Sequence, residues 1–184
     1  MIHKAHAIAA AAASIGLAVG VAEQARATGV YTVECYGADG QLKWSDRIDN
    51  LVTTAGKNDA LDKYLAGSAY TAAWYLGLID STGYSAVAAG DTASSHAGWA
   101  ESTAYSQSTR PAASWASASG GSKALSSAAS FSINATATIK GAFLVSNSTK
   151  SGTTGVLYSA GLFSGGDRTV ANGDTLNVSY TASL

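Results

Sequence analysis

The sequence predicts a mainly β protein, a β-sandwich or jelly-roll-like domain with one short helix, preceded by an Ala-rich N-terminal helical arm. Three observations lead there. Short runs of β-branched and aromatic residues recur through residues 29–184, divided by Gly-, Asn- and Asp-rich turns, which is the punctuation of many short strands. Charged residues are only 12% of the chain, about half the roughly 25% usual for soluble domains. Finally, Ile8–Ala22 is an unbroken run of small and apolar residues dominated by alanine, the best helix former. The 184 residues suit one domain, whose folding hides roughly 70% of the unfolded chain's surface. The predicted division is an arm over 1–28 and a β domain over 29–184.

The arm admits two readings. His3, Lys4 and His6 precede the apolar run, and Ala25-Arg26-Ala27 fits the small-x-small pattern of a cleaved leader. The alternative, taken here as the expectation, is a retained helix. At fifteen residues the run is short of the roughly 20 needed to span a bilayer, so no membrane partner is expected. A helix this apolar requires cover, and Ile8, Ile15, Leu17, Val19 and Val21 are its candidate partner interface.

Gly29 ends the helical pattern. Val30–Tyr36 is a β-rich run, Asp39-Gly40 is a strong hairpin signal, and the return strand alternates. Leu42, Trp44 and Ile48 fall on one side, and Gln41, Lys43, Ser45 and Arg47 on the other. Asp46 breaks the pattern from the apolar side. Thr53 or Thr54 opens a short helix that Gly67 closes, as hydroxyl caps and left-handed glycines do. Ala73–Asp80 is a nearly continuous apolar run, the signature of a buried central strand. Residues 81–110 form the longest irregular stretch, ending at the single proline, Pro111; loops this long are often functional or ordered by a neighbour. Further strands are predicted around Trp115, at Ala128–Ile133, Ala142–Val145, Val156–Phe163 and Thr175–Tyr180. Turns at Gly120-Gly121, Asn147–Gly155, Gly165–Asp167 and Asn172–Asp174 separate most of them. No fixed-period repeat occurs, which disfavours a solenoid or propeller.

Reactive constellations are scarce. Nucleophilic catalysis needs a base beside the serine, and His96 is the single candidate base in the domain, with no G-x-S-x-G elbow near it. His3 and His6 lack an acidic or cysteine companion, and the scattered turn aspartates do not cluster as a calcium loop requires. Asp91 and Glu101 beside Trp99 are the one conceivable glycosidase pair, with loop anchoring as the plainer role for Trp99. Cys35 is alone, which excludes an intrachain disulfide and favours assembly in a reducing cytoplasm. Eleven basic residues against twelve acidic ones supply no field for phosphates, so nucleic acid is not an expected partner. No catalytic, cofactor-binding or metal residues are assigned. The long loop's Trp99 and Tyr105 are expected as an exposed contact.

Several segments in order carry a resemblance: WSDRIDNLVTTAGKNDALDKYL, AWYLGLID, AAGDTASSHAGWAESTAYSQSTRPA, GAFLVSNSTKSGTTGVLYSAGLF and NGDTLNVSYT. Together, over about residues 30–182, they resemble a family of small tailed-bacteriophage structural proteins described as head decoration or tail-fibre-like. The resemblance implies a non-enzymatic virion part, assembled by symmetry in the host bacterial cytoplasm, and transfers no site residues. The first expectation is a capsid decoration or cement protein, a homo-oligomer set on the major capsid protein. Alternatives are a tail-fibre or tail-accessory subunit docked to portal or tail proteins through its N-terminal helix, and an exported carbohydrate-binding module.

Overall fold

The computed structural model describes residues 26–65, 67 and 73–184. The arm's candidate interface, Ile8, Ile15, Leu17, Val19 and Val21, lies outside them. Among the described residues, two antiparallel sheets and one helix build the domain. The chain opens with β1 (Thr28–Tyr36) and β2 (Leu42–Asp49), so Thr28, assigned above to the arm, already belongs to the first strand. Their turn forms because Gly40 takes φ +76° and Asp39 Oδ1 accepts from the Gln41 N–H at 3.0 Å. A two-residue strand, β3 (Leu51–Val52), leads to α1 (Thr54–Leu65). Thr53 is the cap: its hydroxyl accepts from the Gly56 N–H at 3.0 Å, satisfying a donor the helix itself cannot. Gly67 takes φ +65°, as expected of a left-handed stop.

Then follow β4 (Tyr75–Asp80), β5 (Glu101–Ser102), β6 (Ser122–Ala124), β7 (Ala129–Ser132), β8 (Ala137–Val145), β9 (Leu157–Leu162), β10 (Arg168–Val170) and β11 (Thr175–Ser183). The first sheet runs β2-β1-β11, with β6 and β7 end to end along the outer edge of β11. The second runs β3-β9-β8-β4-β5, and β10 continues the line of β9 along β8. β1 and β11 pair over nine residues, Thr28 with Ser183 through Tyr36 with Thr175. The first and last strands thus lock each other in the middle of one sheet.

Alternation sorts the side chains. Tyr31, Val33 and Cys35 of β1 and Leu176, Val178 and Tyr180 of β11 share one core with Leu76, Leu78, Ile139, Ala142 and Leu144 of the second sheet. The intervening residues of that second sheet, Ile79, Phe143 and Val145, join Leu157 and Ala160 in another core, closed by Ala93 and Trp99 of the long loop. The second sheet is therefore buried on both faces, and its strands read as continuous apolar runs for that reason. Each large side chain so buried contributes roughly 1.5–3 kcal/mol.

The structure departs from the sequence reading in the short strands. Trp115 makes one isolated bridge, to Leu125, and is not in a strand. The two- and three-residue strands β3, β5, β6 and β10 had no signal of their own, because pairing with a longer partner defines them. Asp46 is buried on the apolar side, as its position in the alternation requires, and is paired with Arg168.

Close backbone approach fixes the β8–β9 contact: a Cβ on Gly141 would collide with the Gly161 carbonyl oxygen. Gly141→Ala should cost about 1–3 kcal/mol in urea denaturation. Gly90→Ala, where a Cβ meets nothing within 4 Å, should change stability by less than about 0.5 kcal/mol.

Candidate functional site

The long loop folds back over the outer face of the second sheet and leaves a cleft of about 460 Å³ lined by His96, Trp99, Glu101, Arg110, Phe143 and Gly152, among others. Its floor is apolar because β8 and β9 turn Phe143, Val145 and Leu157 this way. Trp99 lies against Phe143, ring centroids 5.1 Å apart, and is only 5% exposed. Its indole N–H donates to Asp91 Oδ2 at 2.9 Å, and the same oxygen accepts from the Ala88 N–H at 2.9 Å. Asp91 thereby closes the 88–91 turn and holds the indole. His96 stacks on Trp99 at 4.0 Å, and its Nδ1 lies 3.0 Å from the Trp99 carbonyl oxygen.

An ion pair stands at one wall. Arg110 reaches Glu101 through two bonds, Nε to Oε1 at 3.0 Å and Nη2 to Oε2 at 2.7 Å. Both side chains are under 5% exposed. Arg110 also donates to the carbonyls of Asn147 (2.8 Å) and Gly152 (3.3 Å). Glu101 accepts in turn from the Ser151 N–H at 2.5 Å and the Tyr105 hydroxyl at 3.3 Å. Ser151 sits at φ +54°, a conformation that costs a non-glycine residue energy unless its surroundings hold it. The Glu101 bond to its N–H is such a hold. One guanidinium and one carboxylate thus fasten two loops, 101–110 and 147–152, to each other and to β5.

This geometry corrects one expectation and agrees with the plainer, loop-anchoring role of Trp99. Trp99 and Tyr105 are not an exposed contact: Tyr105 is fully buried, edge-on to Phe131 at 5.0 Å. Asp91 and Glu101 line the same loop, yet each is engaged elsewhere, by an indole and by a guanidinium, and they do not present two free carboxyls. His96 faces a backbone carbonyl rather than a hydroxyl. Arg110 was missed as a site residue. Its signal was a lone cation, before the single proline, in a loop with few charges.

Two further buried carboxylates close loops in the same manner. Asp46 takes Arg168 Nε and Nη2 at 2.9 and 2.7 Å and the Ser164 hydroxyl at 2.8 Å. Asp174 takes Lys43 Nζ at 2.5 Å and the Ala171 N–H at 2.8 Å. Burial opposes the ionised form of each, but these hydrogen bonds outweigh it and hold both carboxyls below the usual range. Among the described residues no group of three His, Cys, Asp or Glu side chains is placed to hold a metal ion.

Replacing one member of the buried pair, Arg110→Met or Glu101→Gln, should cost about 3–5 kcal/mol in chemical denaturation. The combined replacement Glu101→Leu with Arg110→Met should cost less than either, since no charge is then stranded. A group whose carboxyl is depressed by folding contributes stability that is complete above its unfolded value, about 3.9 for aspartate. That stability is lost as pH falls through the lower folded value. Melting temperature should therefore fall as pH drops below about 4, and Asp174→Asn should flatten that dependence while lowering stability at neutral pH. Set against known proteins, the chain matches no family model, and no curated protein matches it.

Proposed function

We propose that this domain is a non-catalytic structural component of a tailed-bacteriophage virion, a decoration protein that braces the head by covering neighbouring subunits. The observation that carries the reading is a contrast between interior and surface. The buried charges Asp46, Asp91, Glu101, Arg110 and Asp174 are each occupied by partners within the domain. Catalysis by a carboxylate or histidine needs a group free to take or give a proton to substrate, and the cleft offers its acid already bound to arginine. The outer surface is the reverse. On α1, Gly56 is the buried residue, while Tyr64 and Leu65 are 88% and 74% exposed. An apolar face of this kind marks a contact surface.

The action is burial. Each 100 Å² of apolar surface hidden against the major capsid protein or another copy contributes roughly 2.5 kcal/mol before ordering costs. Repetition over a symmetric shell multiplies modest contacts into avidity. The resemblance of the segments quoted above to small tailed-phage structural proteins supports the virion assignment. The buried state of Trp99 and Tyr105 weighs against a carbohydrate-binding module, whose aromatics must reach a sugar face.

Copy number in purified particles tests the reading. Counts on the order of hundreds per particle fit a shell component, whereas about six or twelve would transfer the protein to the tail. Its absence from particles would sink the virion reading altogether. Tyr64→Asp with Leu65→Asp should leave the melting temperature within about 2 °C and strip the protein from particles in a sedimentation assay.

A further inference from the structure

A second cavity, of about 760 Å³, opens between α1 and the hairpin that carries β6, beside the end of β11. Its apolar walls are Ala60 and Leu61 of α1, Tyr158 of β9 and Ala182 of β11. The volume falls within the roughly 300–1,000 Å³ of clefts that hold one small molecule. Leu61 is 56% exposed, so this wall has apolar surface still to cover.

Three lining residues are cations, Arg26, Lys57 and Lys123, and none is Asp or Glu. Three separate parts of the chain supply them: the residues before β1, the helix, and β6. Lys57 stands four residues before Leu61, so charge and apolar wall share one face of α1. It is exposed and has no ion pair among the described residues, while the acid two positions on, Asp59, is held by Lys63 at 3.4 Å. Lys123 gives one N–H to the Ala116 carbonyl at 2.9 Å and has two more to offer. A carboxylate at Leu184, also on the wall, would offset one of the three cations and leave the excess positive. From this pairing of apolar walls with unmatched positive charge we infer that the groove binds a single-chain amphiphilic anion, a long-chain carboxylate. The tail lies against Leu61, Tyr158 and Ala182, and Lys57 and Lys123 meet the head. A groove walled on both sides encloses one chain and cannot lay Tyr158 against a bilayer. The inference is independent of the virion reading, because this ligand needs no other protein.

Calorimetric titration of the full chain at low salt tests it, with laurate as the probe. Decanoate, dodecyltrimethylammonium and dodecyl maltoside are compared, each below its micelle concentration. Laurate should bind saturably, one per chain, and raise the melting temperature, as a ligand of the native state does. Decanoate should bind about tenfold more weakly, for want of two buried methylenes. The cation of equal chain length should be weaker than laurate by at least about tenfold. Lys57→Glu and Leu61→Asp should each weaken laurate by about fivefold or more. Arg47→Glu makes the same charge change at the opposite edge of the first sheet, where Arg47 is 63% exposed. It should leave laurate binding within about twofold. All three substituted residues are exposed, so the variants keep the fold, which circular dichroism checks. Equal binding of laurate and the ammonium, indifference to both groove variants, a lowered melting temperature or no binding would each overturn the inference. Flotation with phosphatidylglycerol vesicles without binding of monomeric laurate would give the surface to a membrane instead. A dimer that Leu61→Asp dissolves would give it to a second copy; either result overturns the proposal. Copy number in particles is unaffected by any of these outcomes, so the two readings fail separately.

Discussion

The strand β8 separates two dry compartments, and the remainder of the architecture answers to that. Ala142 and Leu144 face the core shared by the sheets, while Phe143 and Val145 face the compartment beneath the long loop. A sheet with water on neither side has no polar face, so its neighbours must be apolar on both sides and glycine must appear where backbones crowd. Gly141 is such a place, facing the Gly161 carbonyl, and at Gly77 the Phe143 ring takes the space a Cβ would need. The second compartment also needs a cover, and among the described residues no third sheet or helix supplies one. The cover is an irregular loop rich in Ser, Ala and Gly, whose backbone groups must be satisfied individually. Trp99 provides its apolar plug, and the hydrogen bonds of Asp91 and the Glu101–Arg110 pair provide its fastening.

The same economy governs the few other charges. Asp46 and Arg168 close the excursion between β9 and β10 against the second strand of the chain. Lys43 and Asp174 tie β2 to the turn that starts β11. A buried ion pair adds little net stability over a well-packed apolar substitute, because desolvation consumes the Coulomb gain. What it adds is direction. A guanidinium held by a planar fork and two carbonyls admits one arrangement of its loops, where a cluster of alanines would admit many. A domain with so little charge places it at loop closures, where backbone pairing alone does not decide the geometry.

Legibility in the sequence followed the same division. The β1–β2 hairpin, the Thr53 cap, the central strand β4 and the strands β8, β9 and β11 were readable, because each carries its own periodicity or turn chemistry. The strands β3, β5, β6 and β10 were not, since partners define them. Trp99 and Tyr105 were misplaced outside for a related reason. A polar, small-residue context resembles solvent-exposed loop text, and nothing local to residues 81–110 reveals that a sheet presents a second apolar face to it. The clue lay elsewhere, in the continuous apolar runs at Tyr75–Asp80 and Gly141–Val145, which require cover on both sides. Arg110 was overlooked because a single cation in a loop has no partner visible in sequence; Glu101 stands nine residues away with no helix between them.

These features bear directly on what the molecule can do. An enzyme keeps a reactive group partly unsatisfied, or strained, at the place where substrate binds, and accepts the cost in stability. Here the strained residue is Ser151, and the strain is spent on fastening a loop, with its N–H delivered to Glu101. The polar wall of the cleft is thus a finished structural joint. The exposed apolar side chains lie elsewhere, on α1 at Leu61, Tyr64 and Leu65 and at Leu184. On the reading proposed above, association with another apolar surface would take that surface out of water, which is where the binding free energy of such a contact comes from.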